Sequence, residues 1–94
     1  MIQGIIEAIQ QRRTVRFIYK GDWRDVEPHC YGVTSGGKNA LCGWQLGGGS
    51  GTGYRLYLES DMGSLTTGKA FAEQRPGYKQ NDQRFLRVFS QLRG

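Results

Sequence analysis

The stretch Val15-Arg-Phe-Ile-Tyr-Lys-Gly-Asp-Trp-Arg-Asp-Val-Glu-Pro-His29 constrains the fold of this chain more than any other. Val15, Phe17 and Tyr19 alternate with Arg16, Ile18 and Lys20. A period of two among β-branched and aromatic residues specifies a half-buried strand. Lys20-Gly-Asp22 supplies a turn, because glycine tolerates a positive φ and aspartate bonds its own backbone. Trp23 to Glu27 returns as a second strand, and Pro28, which cannot donate to a sheet ladder, marks an edge or a strand end. Tyr19, Arg24 and His29 on one hairpin combine stacking, charge and hydrogen bonding, a set suited to recognition more than to catalysis.

The remaining segments follow the same logic. Ile2, Ile5, Ile6 and Ile9 form one stripe of a short amphipathic helix, predicted over residues 2–12. His29 to Val33 reads as a strand, the turn falls at Thr34-Ser-Gly-Gly-Lys38, and Asn39 to Leu46 returns. A turn centred on Ser35, Gly36 and Gly37 sets Cys30 opposite Cys42 and Tyr31 opposite Leu41. Gly47 to Gly53 is a flexible connection, and Tyr54 to Glu59 is another alternating strand. After a turn at Asp61-Met-Gly63, a last short strand falls around Leu65 to Thr67. Glu73 to Lys79 reads as a loop. Asn81 or Asp82 would cap a helix over 82–92, with Phe85, Val88, Phe89 and Leu92 as its apolar stripe.

Ninety-four residues suffice for one domain with one modest core. An apolar content of 37% and a charged content of 22% are those of a folded chain, and fifteen glycines point to many turns and a β-rich body. No run approaches the ~20 apolar residues of a membrane span. Met-Ile-Gln-Gly4 lacks the charged start of a signal peptide, so the cytoplasm is the expected location. The net charge of +5 gathers in two places. Arg12, Arg13, Arg16, Lys20 and Arg24 are opposed only by Asp22, and Arg75, Lys79, Arg84, Arg87 and Arg93 only by Asp82. Such clusters, interleaved with tyrosine and tryptophan, fit a phosphate-rich partner; a plain solvated surface is the alternative.

Several chemistries lack their parts. The glycine-rich segment has no Gly-Lys-Ser/Thr ending and precedes a strand, where a phosphate loop needs a helix N-terminus. His29, Cys30 and Cys42 are too few and wrongly spaced for a zinc site, and a reducing cytoplasm disfavours a disulfide, so two buried thiols are expected. His29 is the only histidine, and Ser35, Ser50 and Ser60 lack a nucleophile context. Neither an enzyme, a metal nor a cofactor is expected. The positive signal is a set of aromatic and cationic residues on candidate barrel strands: Tyr19, Trp23, Arg24, His29, Trp44, Arg55 and Tyr57. Such side chains stack on unpaired bases and track phosphates. Tyr19 and Trp44 fit core positions better than binding positions, because large aromatics in small barrels are usually core.

These residues resemble the WYL domain family, whose members begin with a short helix ending in basic residues, a strand of the form Ile-x-Tyr and an Arg-x-Val-Glu-Pro segment. The matching residues are Ile5 to Ile9, Arg12, Arg13, Phe17-Ile-Tyr19 and Arg24-Asp-Val-Glu-Pro28. The resemblance covers most of residues 2–71. Two departures stand out: Asn39-Ala-Leu41 replaces the Trp-Tyr-Leu tripeptide, and Asp61 occupies the place of a family arginine, where it would repel phosphate. The resemblance implies a small Sm-like or SH3-like β-barrel of the kind attached to bacterial transcription regulators. It also implies a pocket of Tyr, Arg and His residues that senses nucleic-acid or nucleotide ligands.

The expectation is therefore a single α+β domain over 1–94, mainly β: a bent five-stranded barrel over 14–71 between the two helices. Its expected role is non-catalytic and regulatory, binding single-stranded DNA or RNA or a nucleotide. Arg24 and Arg55 would contact phosphates, Tyr19, Trp44 and Tyr57 would stack, and His29 would hydrogen-bond, with Arg16 and Lys38 completing the set. The alternative is a protein-interaction module, with a regulator or effector protein or a second copy of the chain as partner.

Overall fold

The computed structural model describes residues 2–48 and 51–93 and consists of one helix and six antiparallel strands. The helix α1 (Gln3–Gln11) buries Ile5, Ile6, Ala8 and Ile9 and ends at Arg12, whose left-handed φ of 54° turns the chain into the first strand. The hairpin follows as β1 (Arg13–Tyr19) and β2 (Asp22–Thr34). Its turn is tighter than the sequence reading implied. Lys20 and Gly21 both take positive φ, and Asp22 already pairs with Tyr19 as the first residue of β2. A two-residue turn of this hand matches the right-handed twist of the flanking strands.

Pro28 does not end β2, which runs thirteen residues. One edge pairs with β3 (Asn39–Gly47), and the other is shared, with β1 on Asp22 to Val26 and β6 (Phe85–Gln91) on Cys30 to Thr34. Pro28 lies in the gap between β1 and β6, where a missing N–H costs no ladder bond on that side. The register toward β3 shifts between Pro28 and Cys30, leaving His29 as the extra residue of a bulge. Beyond it, Cys30 faces Cys42 and Tyr31 faces Leu41, the register expected from the Ser35–Gly37 turn.

The strand β4 (Gly53–Leu58) pairs with β3, a 3-10 turn spans Glu59–Asp61, and β5 (Met62–Ala70) pairs with β1. The last strand before the loop is thus nine residues, not a short run around Leu65. The order β4-β3-β2-β1-β5, with β6 on β2, is an open sheet; no pairing joins β4 to β5, so the described residues do not show the expected barrel closure. The helix predicted over 82–92 is also absent. Those residues form β6, because Phe-Leu-Arg-Val-Phe carries a short apolar run compatible with either period, and the open upper edge of β2 rewards a strand. Asp82 accordingly caps no helix and accepts instead from the Arg84 backbone N–H at 2.9 Å.

The main core gathers Ile5, Ile9, Val15, Phe17, Val26, Tyr31, Leu41, Tyr57 and Leu92 from α1 and one face of the sheet. Phe17, Tyr19 and Tyr57 pack edge-to-face, with centroids 5.0 to 6.3 Å apart. The Tyr31 hydroxyl accepts from the Ile2 N–H and donates to Glu59, which anchors the start of α1 to the sheet. A smaller cluster of Cys30, Ala40, Cys42 and Phe85 forms a second apolar layer. Among the described residues no helix is long and apolar enough to cross a membrane.

Candidate ligand-binding site

Strand alternation places Leu41, Gln45, Arg55 and Tyr57 on the core-facing side of β3 and β4, with Gln45 brought against Arg24 of the hairpin. Arg24 is only 9% exposed, and its partners are neutral. Its Nη1 donates to Gln45 Oε1 at 3.0 Å and its Nη2 to the Tyr19 carbonyl at 3.1 Å. Its Nε has no hydrogen-bond partner, and no ion pair joins it to a carboxylate among the described residues. A buried guanidinium held this way carries an uncompensated charge. The Tyr57 hydroxyl donates to the same Gln45 oxygen at 2.7 Å. Burial pushes the Tyr57 hydroxyl pKa up despite the opposing fields of Arg24 and Arg55, so it stays a neutral donor. Lys20 Nζ and Arg24 Cζ each lie 5.7 Å from the Tyr19 ring centroid. Arg55, half-buried, donates to the Tyr54 carbonyl at 2.9 Å.

His29 belongs to a different environment. It is fully buried, and both ring nitrogens are used. The Arg75 N–H donates to Nε2 at 3.0 Å, so Nδ1 carries the proton and donates to the Glu27 carbonyl at 2.7 Å. Burial lowers its pKa, and Arg75 acts in the same direction. Phe71 stacks at 6.3 Å, while Tyr54 and Tyr78 meet the ring edge-on at 5.5 and 5.1 Å. Arg75 completes the arrangement with a bidentate pair to Glu27 (2.7 and 3.1 Å) and lies 5.3 Å from the Trp44 ring centroid. These contacts strap the loop after β5 across β2.

The eight expected site residues thus fall into separate groups. Tyr19, Arg24, Arg55 and Tyr57 share the core-facing side; His29 and Trp44 meet through Tyr54, which packs 5.0 Å from Trp44. Arg16 lies on the outer side of the hairpin, 4.7 Å from the exposed Trp23 ring and 3.8 Å from Asp25. Lys38 stands exposed at the β2–β3 turn, away from both groups. Tyr19, His29 and Tyr57 are buried with their polar atoms engaged, so they present no open stacking face in this conformation.

Two residues central to this geometry were not foreseen. Gln45 was legible in part, because counting by two from Leu41 puts an amide on a buried face. Arg75 carried no comparable signal, since its partners lie 46 and 48 residues away. Cys30 and Cys42 are free, buried thiols, with the Cys30 pKa pushed up to about 12 by burial. No cluster of three or more His, Cys, Asp or Glu side chains among the described residues could hold a metal ion. A concavity of about 520 Å³ opens over Cys42 and Tyr54, walled by the loop Gly77 to Arg84, and none of the eight residues lines it. Comparison with protein families, curated proteins and solved structures finds no match to this chain.

Proposed function

We propose that this protein is a WYL-like, non-catalytic sensing module that binds single-stranded nucleic acid or a nucleotide. The observation that carries the reading is Arg24, a cation buried among neutral acceptors with an orphan Nε–H. A phosphate would supply the missing anion, and an ion-paired hydrogen bond to it would replace the bond from Arg24 to the neutral Gln45 carbonyl. Lys20, 5.7 Å from the Tyr19 ring, and Arg55, whose field reaches the Tyr57 hydroxyl, extend the positive field. Tyr19 and Tyr57 are enclosed, and Trp44 and the exposed Trp23 lie on the opposite side of the sheet from Arg24, so the reading rests on the phosphate contact and not on base stacking.

The test is fluorescence anisotropy with labelled single-stranded and duplex oligonucleotides at low and near-physiological salt, on the parent and on Arg24→Met. Salt-sensitive binding that prefers single strands and weakens in Arg24→Met supports the reading. Equal affinity in the variant removes Arg24 from the site, and no binding at low salt removes the function. A second reading, as an interaction module, draws on β5, which pairs only with β1 among the described residues, and on Leu86, 76% exposed. Light scattering that reports a dimer in nuclease-treated protein favours it.

A further inference from the structure

The concavity over Cys42 has the parts of a small-molecule site separate from Arg24. Its volume of about 520 Å³ falls in the range of ligand pockets, roughly 300–1,000 Å³. Its floor is Cys42 and Tyr54, backed by the apolar cluster of Cys30, Ala40, Cys42 and Phe85. Tyr78 forms a wall. Both tyrosine hydroxyls are already spent on the fold: Tyr54 donates to the Arg75 carbonyl at 2.7 Å, and the Tyr78 hydroxyl lies 3.3 and 3.2 Å from the carbonyls of His29 and Leu92. What the two residues offer to the cavity is therefore ring surface.

The polar side of the cavity is equally defined. Arg84 is clamped to Asp82 at 2.7 Å and also donates from Nη2 to Cys42 Sγ at 3.3 Å, so its planar guanidinium is fixed beside the thiol. Arg84 and Asp82 cancel in charge. Lys79, exposed and without an ion pair among the described residues, leaves the lining with one net positive charge. The wall is held in place by β6. Asn81 and Gln91 exchange two hydrogen bonds (2.9 and 3.0 Å), and Gln80 donates to the Leu92 carbonyl at 3.2 Å.

From ring surface, a polarisable sulfur, a fixed planar cation and one free ammonium, we infer that this cavity binds a small planar aromatic molecule bearing an anionic group, of the chemical class of a nucleoside monophosphate. The aromatic body lies against Tyr54, Tyr78 and Cys42, and the anion faces Lys79. The inference does not depend on Arg24.

Titration of the isotopically labelled protein with adenosine 5′-monophosphate, followed by amide chemical shifts, tests it. Saturable shifts at Cys42, Tyr54 and Gly77 to Arg84 are expected, with weaker binding of adenosine and of ribose 5-phosphate taken singly. Lys79→Gln should weaken binding about two- to fivefold, the scale of one exposed charge pair. Gln83→Phe, an exposed position on the rim, should fill the cavity and abolish the shifts while the rest of the spectrum stays folded. Arg24→Met should leave the titration unchanged, which separates this site from the proposed function. The inference is overturned by absence of saturation at millimolar ligand, by shifts confined to Tyr19 to Arg24, or by undiminished binding in Gln83→Phe.

Discussion

The backbone N–H of Arg75 donates to Nε2 of His29 across 3.0 Å, joining a loop residue to a strand bulge 46 positions earlier in the chain. The bond exists only while the imidazole is neutral, because a second ring proton would point at another donor. Burial already disfavours the charged form, so the folded protein holds this histidine below its ordinary pKa of 6.5.

Acid should therefore loosen the protein before its carboxylates titrate. With the folded pKa lowered, the unfolded chain binds more protons between that value and 6.5. The contribution is complete above about pH 6.5 and is lost as pH falls from there through the folded value, by at most about 1.4 kcal/mol per pH unit. Urea melts from pH 7.5 down to pH 5 should show this slope, and His29→Gln should flatten it. A parent protein whose stability is constant over that window would remove His29 as the titrating group.

Glu27 and Arg75 should couple strongly. The Glu27 side chain is 8% exposed, and truncating its partner strands a buried carboxylate. Arg75→Ala is expected to lower the melting temperature, and adding Glu27→Gln to recover part of the loss. Strictly additive effects in the double-mutant cycle would show that the pair contributes nothing beyond its separate residues.

Gly32 should tolerate no side chain. A Cβ there would overlap the Arg87 carbonyl oxygen and crowd Val88 Cα, both backbone atoms of β6. Gly32→Ala is expected to cost about 1–3 kcal/mol, as overpacking does, and to raise amide exchange in residues 85–91 first. Unaltered protection of β6 would argue against that strand lying against Gly32.

Gln45 and Arg24 should respond in opposite senses. Gln45→Leu leaves the Tyr57 hydroxyl and Arg24 Nη1 without their shared acceptor, a loss of about 1–3 kcal/mol per stranded group. Arg24→Met removes a buried charge that nothing neutralises and should change stability by less than about 1 kcal/mol, or raise it, while weakening oligonucleotide binding. Denaturant melts on both variants decide the comparison. A large loss in Arg24→Met would identify the guanidinium as part of the structural framework.

Sequence alone determined the parts whose causes are local. Lys20-Gly-Asp22 dictates a turn, Ser35 to Gly37 dictates the pairing of Cys30 with Cys42, and the stripe of Ile5, Ile6 and Ile9 dictates a helix with one buried face. In each case the deciding atoms lie within a few residues. Tertiary structure decided the rest. Phe85 to Gln91 could serve either period, and the free half of the β2 edge selected a strand. Pro28 could have ended β2, but the gap between β1 and β6 absorbed it. The roles of His29, Arg24 and Trp44 depend on Arg75, Gln45 and Tyr54, partners brought close only by the folded sheet and its loop. Buried polar groups take whichever partner the fold delivers, and that choice is absent from the local pattern.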